Sequence, residues 1–479
     1  AVDPDVGRGI VESEVDHHLL LDEIVDRVVL GHTLKHCAVD IDQLIRPCIY
    51  PTHADTLRNA GAGPVSLADL MPRTVRMRTT LVIYHRQMPR FGVRRSLLAV
   101  GVAAGCLITA GPFTGGATRS ESIDGLGRAT APAERLTPPV RHLTVSGTGD
   151  ILPHSPLWSQ AASNAGGAGY NFAPMFADIA PVIGFADLAI CHLETPIVPV
   201  GQALSTYPVY GVPVEVTNAI ASAGYDRCST ASNHTFDRGV AGIDRTVAAL
   251  ESVGVQQSGM ARTPAEAIPQ VVSMNGAAVT HLSYTYGFNG AYVPSGQQWR
   301  SPLINVDRII ADGRVARQRG AELVVLSLHW GVEYDRQPSA EQRRVAEAVT
   351  ASGAVDLILG HHAHVLQPVE RINGVWVAFG LGNFLSNMRE SPWFPASSQD
   401  GAVVDFNVTF VDNARKPNGV EAVVDRPRVI PTWVDRDNGW IIRDVRAQLA
   451  DPTIPGNRRA ALLRSLARTT AVLGEFVPR

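Results

Sequence analysis

From residue 142 onward, short apolar runs alternate with longer amphipathic stretches. Residues 142–148, 187–194, 225–231, 322–329 and 357–359 have the length and composition of buried strands. Between them, 215–224, 240–253, 305–320 and 339–353 repeat apolar residues at helical spacing. Residues 171–185 read as a loop followed by a helix. Asn275-Gly276 and Asn373-Gly374 are hairpin turn pairs. They predict two strands within 271–284 and a strand at 375–380. Strands alternating with helices predict an α/β domain. Beyond it, 402–410 alternates apolar and polar residues like a half-buried strand. Residues 420–424 and 429–434 predict further strands of a small C-terminal β extension within 389–479. Residues 458–476 predict a terminal helix that docks on the core through Leu462, Leu463, Leu466 and Val472.

The first 141 residues lack this alternation. Met88, Arg90, Arg94 and Arg95 precede an uncharged stretch, 96–118, whose apolar centre is 97–108. That layout predicts a secretory signal or a single membrane anchor over 88–118. The apolar run is short for a comfortable span of ~20 residues. Residues 1–87 are an N-terminal extension, or a start-site artefact with translation beginning at Met88. Residues 119–141, rich in Ala, Pro, Ser, Thr and Arg, read as a linker. The expected location is therefore exported: the cell envelope, membrane-anchored or secreted.

Composition narrows this only a little. A net charge of −3 over 479 residues leaves no basic footprint for nucleic acid. The five cysteines include no C-x-x-C pair. Cys191 and Cys228 fall in apolar strand-like runs and are expected to be free buried thiols.

The chemistry gathers at strand ends, where open α/β sheets bind ligands. After 357–359, Gly360 is expected to turn the chain, and His361-His362-Ala-His364 follows. His362 and His364 stand two apart, a spacing that lets both rings converge on one ion. His361 falls outside that pair. Asp150 follows the first strand in Gly147-Thr-Gly149-Asp150, where alone it reads as a loop cap. His192 and Glu194 share one side of the second strand. Asn233 and His234 end the third, with Asp237 close behind, and His329 ends another. Oxygen and imidazole donors without thiolate favour Mn, Fe or Zn over a structural zinc site.

Gly149-Asp150, His192-Leu-Glu194, Asn233-His234-x-x-Asp237-x-Gly239, His329-Trp-Gly-x-Glu333-Tyr334, Gly360-His-His-x-His364 and Gly382-Asn383-Phe384 occur in this order. Together they resemble the CapA (poly-γ-glutamate capsule biosynthesis) family, itself similar in fold to calcineurin-like metallophosphoesterases. The resemblance covers about 142–388. It implies a four-layered α/β/β/α sandwich with two divalent metal ions. Asp150 matches the first carboxylate ligand and Glu194 the bridging one. Asn233, His329, His362 and His364 match the remaining ligands. His234 matches the group that protonates a leaving group, and Asp237 stands with it as a catalytic candidate. Three positions depart from the pattern: Asp150-Ile-Leu replaces Asp-x-His, His192 replaces Asn, and Ser232 replaces Asn. The family implies an exported hydrolase or transferase acting on an anionic envelope polymer such as poly-γ-glutamate. The fold analogy implies a phosphoesterase. A third reading is a non-catalytic, polymer-binding accessory protein of a membrane synthesis or export complex. Fold alone does not decide among them.

Overall fold

The computed structural model describes residues 141–416 and 418–478. The expected extension, signal or anchor, and all of the linker but Arg141 lie outside the described residues. Arg141 itself already belongs to the first strand.

The first sheet is built on four parallel strands: β1 (Arg141–Ile151), β2 (Leu188–Leu193), β3 (Arg227–Ser229) and β4 (Gln256–Ser258). Its other half is C-terminal. β12 (Asp400–Asp412) runs antiparallel beside β1, followed outward by β14 (Arg428–Asp435) and β15 (Ile441–Asp444). β13 (Val420–Val424) also pairs with β12, and β11 (Asn383–Leu385) with β1. The C-terminal β extension thus continues the first sheet.

The second sheet holds β5 (Val272–Met274), β6 (Ala277–Thr285), β7 (Leu323–His329), β8 (Leu357–His361), β9 (Val369–Ile372) and β10 (Val375–Ala378). Its order is β5-β6-β7-β8-β10-β9, with β6, β7, β8 and β10 parallel. Both hairpins form at the expected turn pairs.

Side-chain alternation sorts each strand between two neighbouring layers. On β2, Leu188 and Ile190 face the second sheet, while Ala189, Cys191 and Leu193 face helices. Those helices include α1 (Ser155–Asn164), the short α2 (Ala173–Phe176) and α3 (Ala180–Ile183), and α4 (Val216–Ser222). The single helix expected at 171–185 is thus two short ones, each with Pro in its first turn. α5 (Gly239–Ser252) follows the third strand. On β7, Leu323 and Val325 face the first sheet. Val324, Leu326 and Leu328 pack instead with residues of α6 (Val306–Gln318) and α7 (Ala340–Ala351). Asn305 caps α6, and a Ser339–Gln342 capping box starts α7. The result is helix, sheet, sheet, helix: a four-layered α/β/β/α sandwich.

Three expectations change. β12 is buried along most of its length rather than half-buried, because Val403 packs against the helices while Val404 and Phe406 pack against the second sheet. Two helices complete the chain, α8 (Val445–Ala450) and α9 (Gly456–Leu473). α9 docks through Leu462, Ser465, Thr469 and Leu473, which leaves Leu463 52% exposed. Arg468 and Ser465 of α9 hold the buried Asp400 carboxylate. Third, Cys191 and Cys228 are not free thiols. They sit in register on neighbouring strands, with Cα atoms 4.4 Å apart, and form a disulfide. Strand pairing, invisible in the spacing, brings them together.

Peptide mapping of unreduced protein should recover Cys191 and Cys228 as one linked pair. The Cys191→Ala/Cys228→Ala double variant should lose about 2–4 kcal/mol in urea unfolding. Free thiols at both positions would contradict the pairing.

Candidate metal centre

The site lies where the parallel strands of both sheets end. On β1, β2 and β8 the residues facing the gap between the sheets are apolar through the middle and become polar at this edge. On β2, β7 and β8, the alternation that points Ile190, Val325 and Leu359 into the gap also points His192, His329 and His361 there. Asp150 needs a further device. Leu143 and Val145 face the gap, so strict alternation would turn Asp150 toward the helices. An irregularity between Gly147 and Asp150 inserts one extra residue, and Asp150 comes into register with His192. The bulge re-aims its carboxylate into the gap.

Two glycines permit the close packing. A Cβ on Gly149 would lie 2.1 Å from the Gly382 carbonyl oxygen, and one on Gly360 would lie 2.0 Å from that of Phe379. Gly360 therefore sits inside β8 and does not turn the chain as expected. The turn comes afterwards, at His362 (φ 87°) and His364 (φ 54°), both left-handed.

The donors form three overlapping groups: Asp150 with His192 and His361, Asp150 with Glu194 and His364, and Glu333 with His362 and His364. Within each group the ligand atoms lie within 4.8 Å of one another. The Asp150 carboxylate is 3.0 Å from His364 Nδ1 and 3.4 Å from His361 Nδ1. Glu194 Oε1 is 3.9 Å from His364 Nε2 and 4.0 Å from His234 Nε2. Glu194 is fully buried, yet neither of its oxygens has a hydrogen-bond partner among the described residues. Asp150 Oδ1, His362 Nδ1 and both His361 nitrogens are likewise buried and unpartnered. Buried polar atoms are almost always satisfied, and a lone buried carboxylate costs several kcal/mol. Carboxylate and imidazole donors left open in one pocket fit a divalent cation.

Electrostatics agree. Burial pushes the Glu194 carboxyl well above the usual range, and the Asp150 charge adds to this. Burial also acts on Asp150, but the His361 and His364 imidazoles hold it well below the usual range. His364 is buried, yet Glu194 and Asp150 carry it up to about 9. Burial and the His364 charge push His362 down to about 3. Burial and neighbouring imidazoles push His192 and His329 well below their ordinary values. The two neighbouring buried carboxyls are thus pushed in opposite directions. A cation between them would favour the charged form of both.

All eight candidate residues meet at this edge. Asp150, Glu194, His362 and His364 enter the donor groups. Asn233 and His329 stand alongside: His329 Nε2 is 2.8 Å from Asn233 Oδ1, and its ring lies 4.7 Å from that of His362. His234 Nδ1 is 2.7 Å from the Asp237 carboxylate, which turns Nε2 toward Glu194. His361, set aside in the sequence, is buried and faces Asp150. His192 is tied to His329 at 2.9 Å and to Ser229 at 2.8 Å. Strand register is the signal for both, since His361 pairs with His329 and His192 with Asp150.

Residues 144–388 match the family model described as Bacterial capsule synthesis protein PGA_cap. The chain belongs to this family. It is 30% identical over 199 residues to the capsule biosynthesis protein CapA of Bacillus anthracis, covering 40% of this chain and 47% of that one. It is 29% identical over 200 residues to the PGA biosynthesis protein CapA of Bacillus subtilis, covering 40% and 50%. The chain thus spans about half the length of the curated relatives it matches. Among solved structures it is similar to the calcineurin-like phosphoesterase YfkN of Bacillus subtilis. There the identity is 13% and the TM-score 0.36, over 68% of this chain and all of that one.

Adding Mn²⁺ or Zn²⁺ at about a hundred times its Kd should stabilise the protein by about 2.7 kcal/mol. His364→Ala should abolish that gain in thermal unfolding while leaving the far-UV spectrum unchanged. A variant that fails to fold would make His364 structural instead.

Proposed function

We propose that this capsule-family chain is an exported hydrolase or transferase. It uses two divalent ions, Mn, Fe or Zn, to act on an envelope polymer such as poly-γ-glutamate. The observation that carries the reading is Glu194: a fully buried carboxylate, unpartnered among the described residues, facing Asp150, His364 and His234. Asp150, Glu194, Asn233, His329, His362 and His364 would hold the ions. His192 and His361 are placed to complete the set around Asp150. When bound, such ions bring the pKa of water toward neutrality and stabilise charge developing on oxygen.

The chain's own residues handle substrate and proton. A cleft of about 340 Å³ opens beside the centre, lined by His234, His364, Tyr210, Tyr334 and Phe394 among others. Its aromatic walls would exclude water from a bound substrate. The Asp237 carboxylate accepts from the Tyr210 backbone N–H at 2.7 Å and bonds His234 Nδ1. That fixes the ring with Nε2 directed at the site, where it can protonate a leaving group. Export is supported by the charge pattern of 88–118 and by the Cys191–Cys228 disulfide, which persists in oxidising compartments.

The test is metal analysis of the purified full chain, with turnover of a γ-glutamyl peptide and of a phosphodiester. About two ions per chain and cleavage of either substrate are expected, and the preferred substrate names the bond. Less than one ion and no turnover in added manganese would leave only a polymer-binding accessory role. His234→Asn should keep its metal and lower kcat by about 10²–10⁴-fold. A parallel loss of metal would show that His234 is a ligand rather than the acid.

A further inference from the structure

The gap between the sheets holds a second polar region, which adjoins the donor groups through the Ser229–His192 contact. Arg227 and Ser229 flank Cys228 on β3, so they point into the gap when Cys228 points to the helices. On β6, Leu282 and Tyr284 pack on the helical side, which sends His281 and Ser283 into the gap. Arg227 is 4% exposed and His281 3%. Both line a cavity of about 70 Å³ between the edges of the two sheets.

Arg227 is a buried cation with no carboxylate partner among the described residues. Its guanidinium donates to the Gln256 side chain and, at 3.4 Å, to the Gln257 carbonyl. Its Nε has no acceptor among the described residues. The neighbouring Asp226 carboxylate accepts instead from the Ala189 N–H at 2.8 Å. The acidic groups around the cavity are already paired, Glu266 with Arg262 and Asp312 with Arg308. His281 Nε2 is 2.9 Å from the Ser327 hydroxyl, while its Nδ1 has no partner among the described residues. With Ser327 donating to Nε2, His281 presents an Nδ1–H. Burial brings Arg227 down to about 10, so it stays charged at neutral pH. An isolated buried charge is costly unless it is paired and hydrogen-bonded.

We propose that the Arg227–His281 cavity binds one small oxyanion, phosphate-like or carboxylate-like, which the guanidinium and the imidazole N–H hold between the two sheets. A guanidinium matches the spacing of oxygens on such anions. The bound anion bridges β3 of the first sheet to β6 of the second. It ties the sheets together on the flank opposite β12 and acts as a stabilising ligand.

The test is isothermal titration and thermal unfolding of the full chain after chelation of metals, so that the metal centre does not bind the probe. The probes are inorganic phosphate, sulfate and acetate, each against chloride at equal ionic strength. Wild type is expected to bind one anion per chain saturably, with a rise in Tm. Phosphate and sulfate outranking acetate would name a tetrahedral anion, and the reverse order a carboxylate. Arg227→Met should weaken binding at least tenfold, and His281→Phe should weaken it should the first variant fail to fold. His364→Ala should leave the response intact. Absence of saturable binding to wild type, unchanged affinity in both cavity variants, or loss of the response in His364→Ala would each overturn the proposal.

Discussion

Two carboxylates, Asp150 and Glu194, are buried between two β-sheets and lack the partners that would neutralise both. Burial favours the neutral form of each, and the imidazoles around them oppose it. This is a locally unfavourable arrangement, and it stands because the layers around it are apolar and continuous. The middle of the inter-sheet gap is filled by side chains such as Val145, Ile190, Val325 and Leu359. The sheets cannot drift apart at the edge without opening that packing. Strain of this kind persists at functional sites when the surroundings over-determine it.

Register is what converts packing into chemistry. A one-residue slip in a strand sends every side chain to the opposite face. β2, β7 and β8 bring their histidines into the gap through ordinary alternation, in step with the apolar Ile190, Val325 and Leu359 on the same faces. β1 reaches the same result only through its bulge. Gly149 and Gly360 let the neighbouring backbones approach closely enough for this to work. The Cys191–Cys228 link fixes β2 to β3 one residue before His192 and Ser229, which bond each other across the same strands.

Much of this was legible in the sequence. Strand–helix alternation and both hairpins follow local patterns, and the structure reproduces them. The candidate residues were readable because they stand at or just past the ends of apolar runs, with Asp237 following His234 in the motif that the family resemblance supplied. Non-local facts were not readable. Asp150 taken alone read as a loop cap, because a bulge leaves no mark in hydropathy, and it became a ligand candidate only together with the other strand ends. Gly360 looked like a turn because the Phe379 carbonyl that excludes a side chain is distant in sequence. His361 looked incidental beside the His-x-His pair, and only its pairing with His329 reveals its direction. The two cysteines read as thiols because strand neighbours cannot be assigned from spacing. Leu463 seemed part of the docking face of the terminal helix until the docked face was seen to run through Ser465 and Thr469 to Leu473.

The arrangement around His234 bears on whether the centre binds or reacts. Holding an anionic polymer on metal ions requires only the donors. It does not require an imidazole that donates through a chosen nitrogen. Asp237 fixes His234 from the Nδ1 side, and is itself fixed by the Tyr210 backbone, so Nε2 faces Glu194 and the cleft. Tyr210 also packs edge-on against the His234 ring at 4.7 Å, which limits its rotation. A carboxylate that sets the tautomer and direction of a histidine is how proton-transferring groups are organised. The same pairing also orients a metal-ligating histidine, so what separates the two roles is whether Nε2 meets a metal or the substrate. The geometry around His234 thus meets the positional requirement for proton transfer, with the ring fixed and Nε2 facing both Glu194 and the cleft.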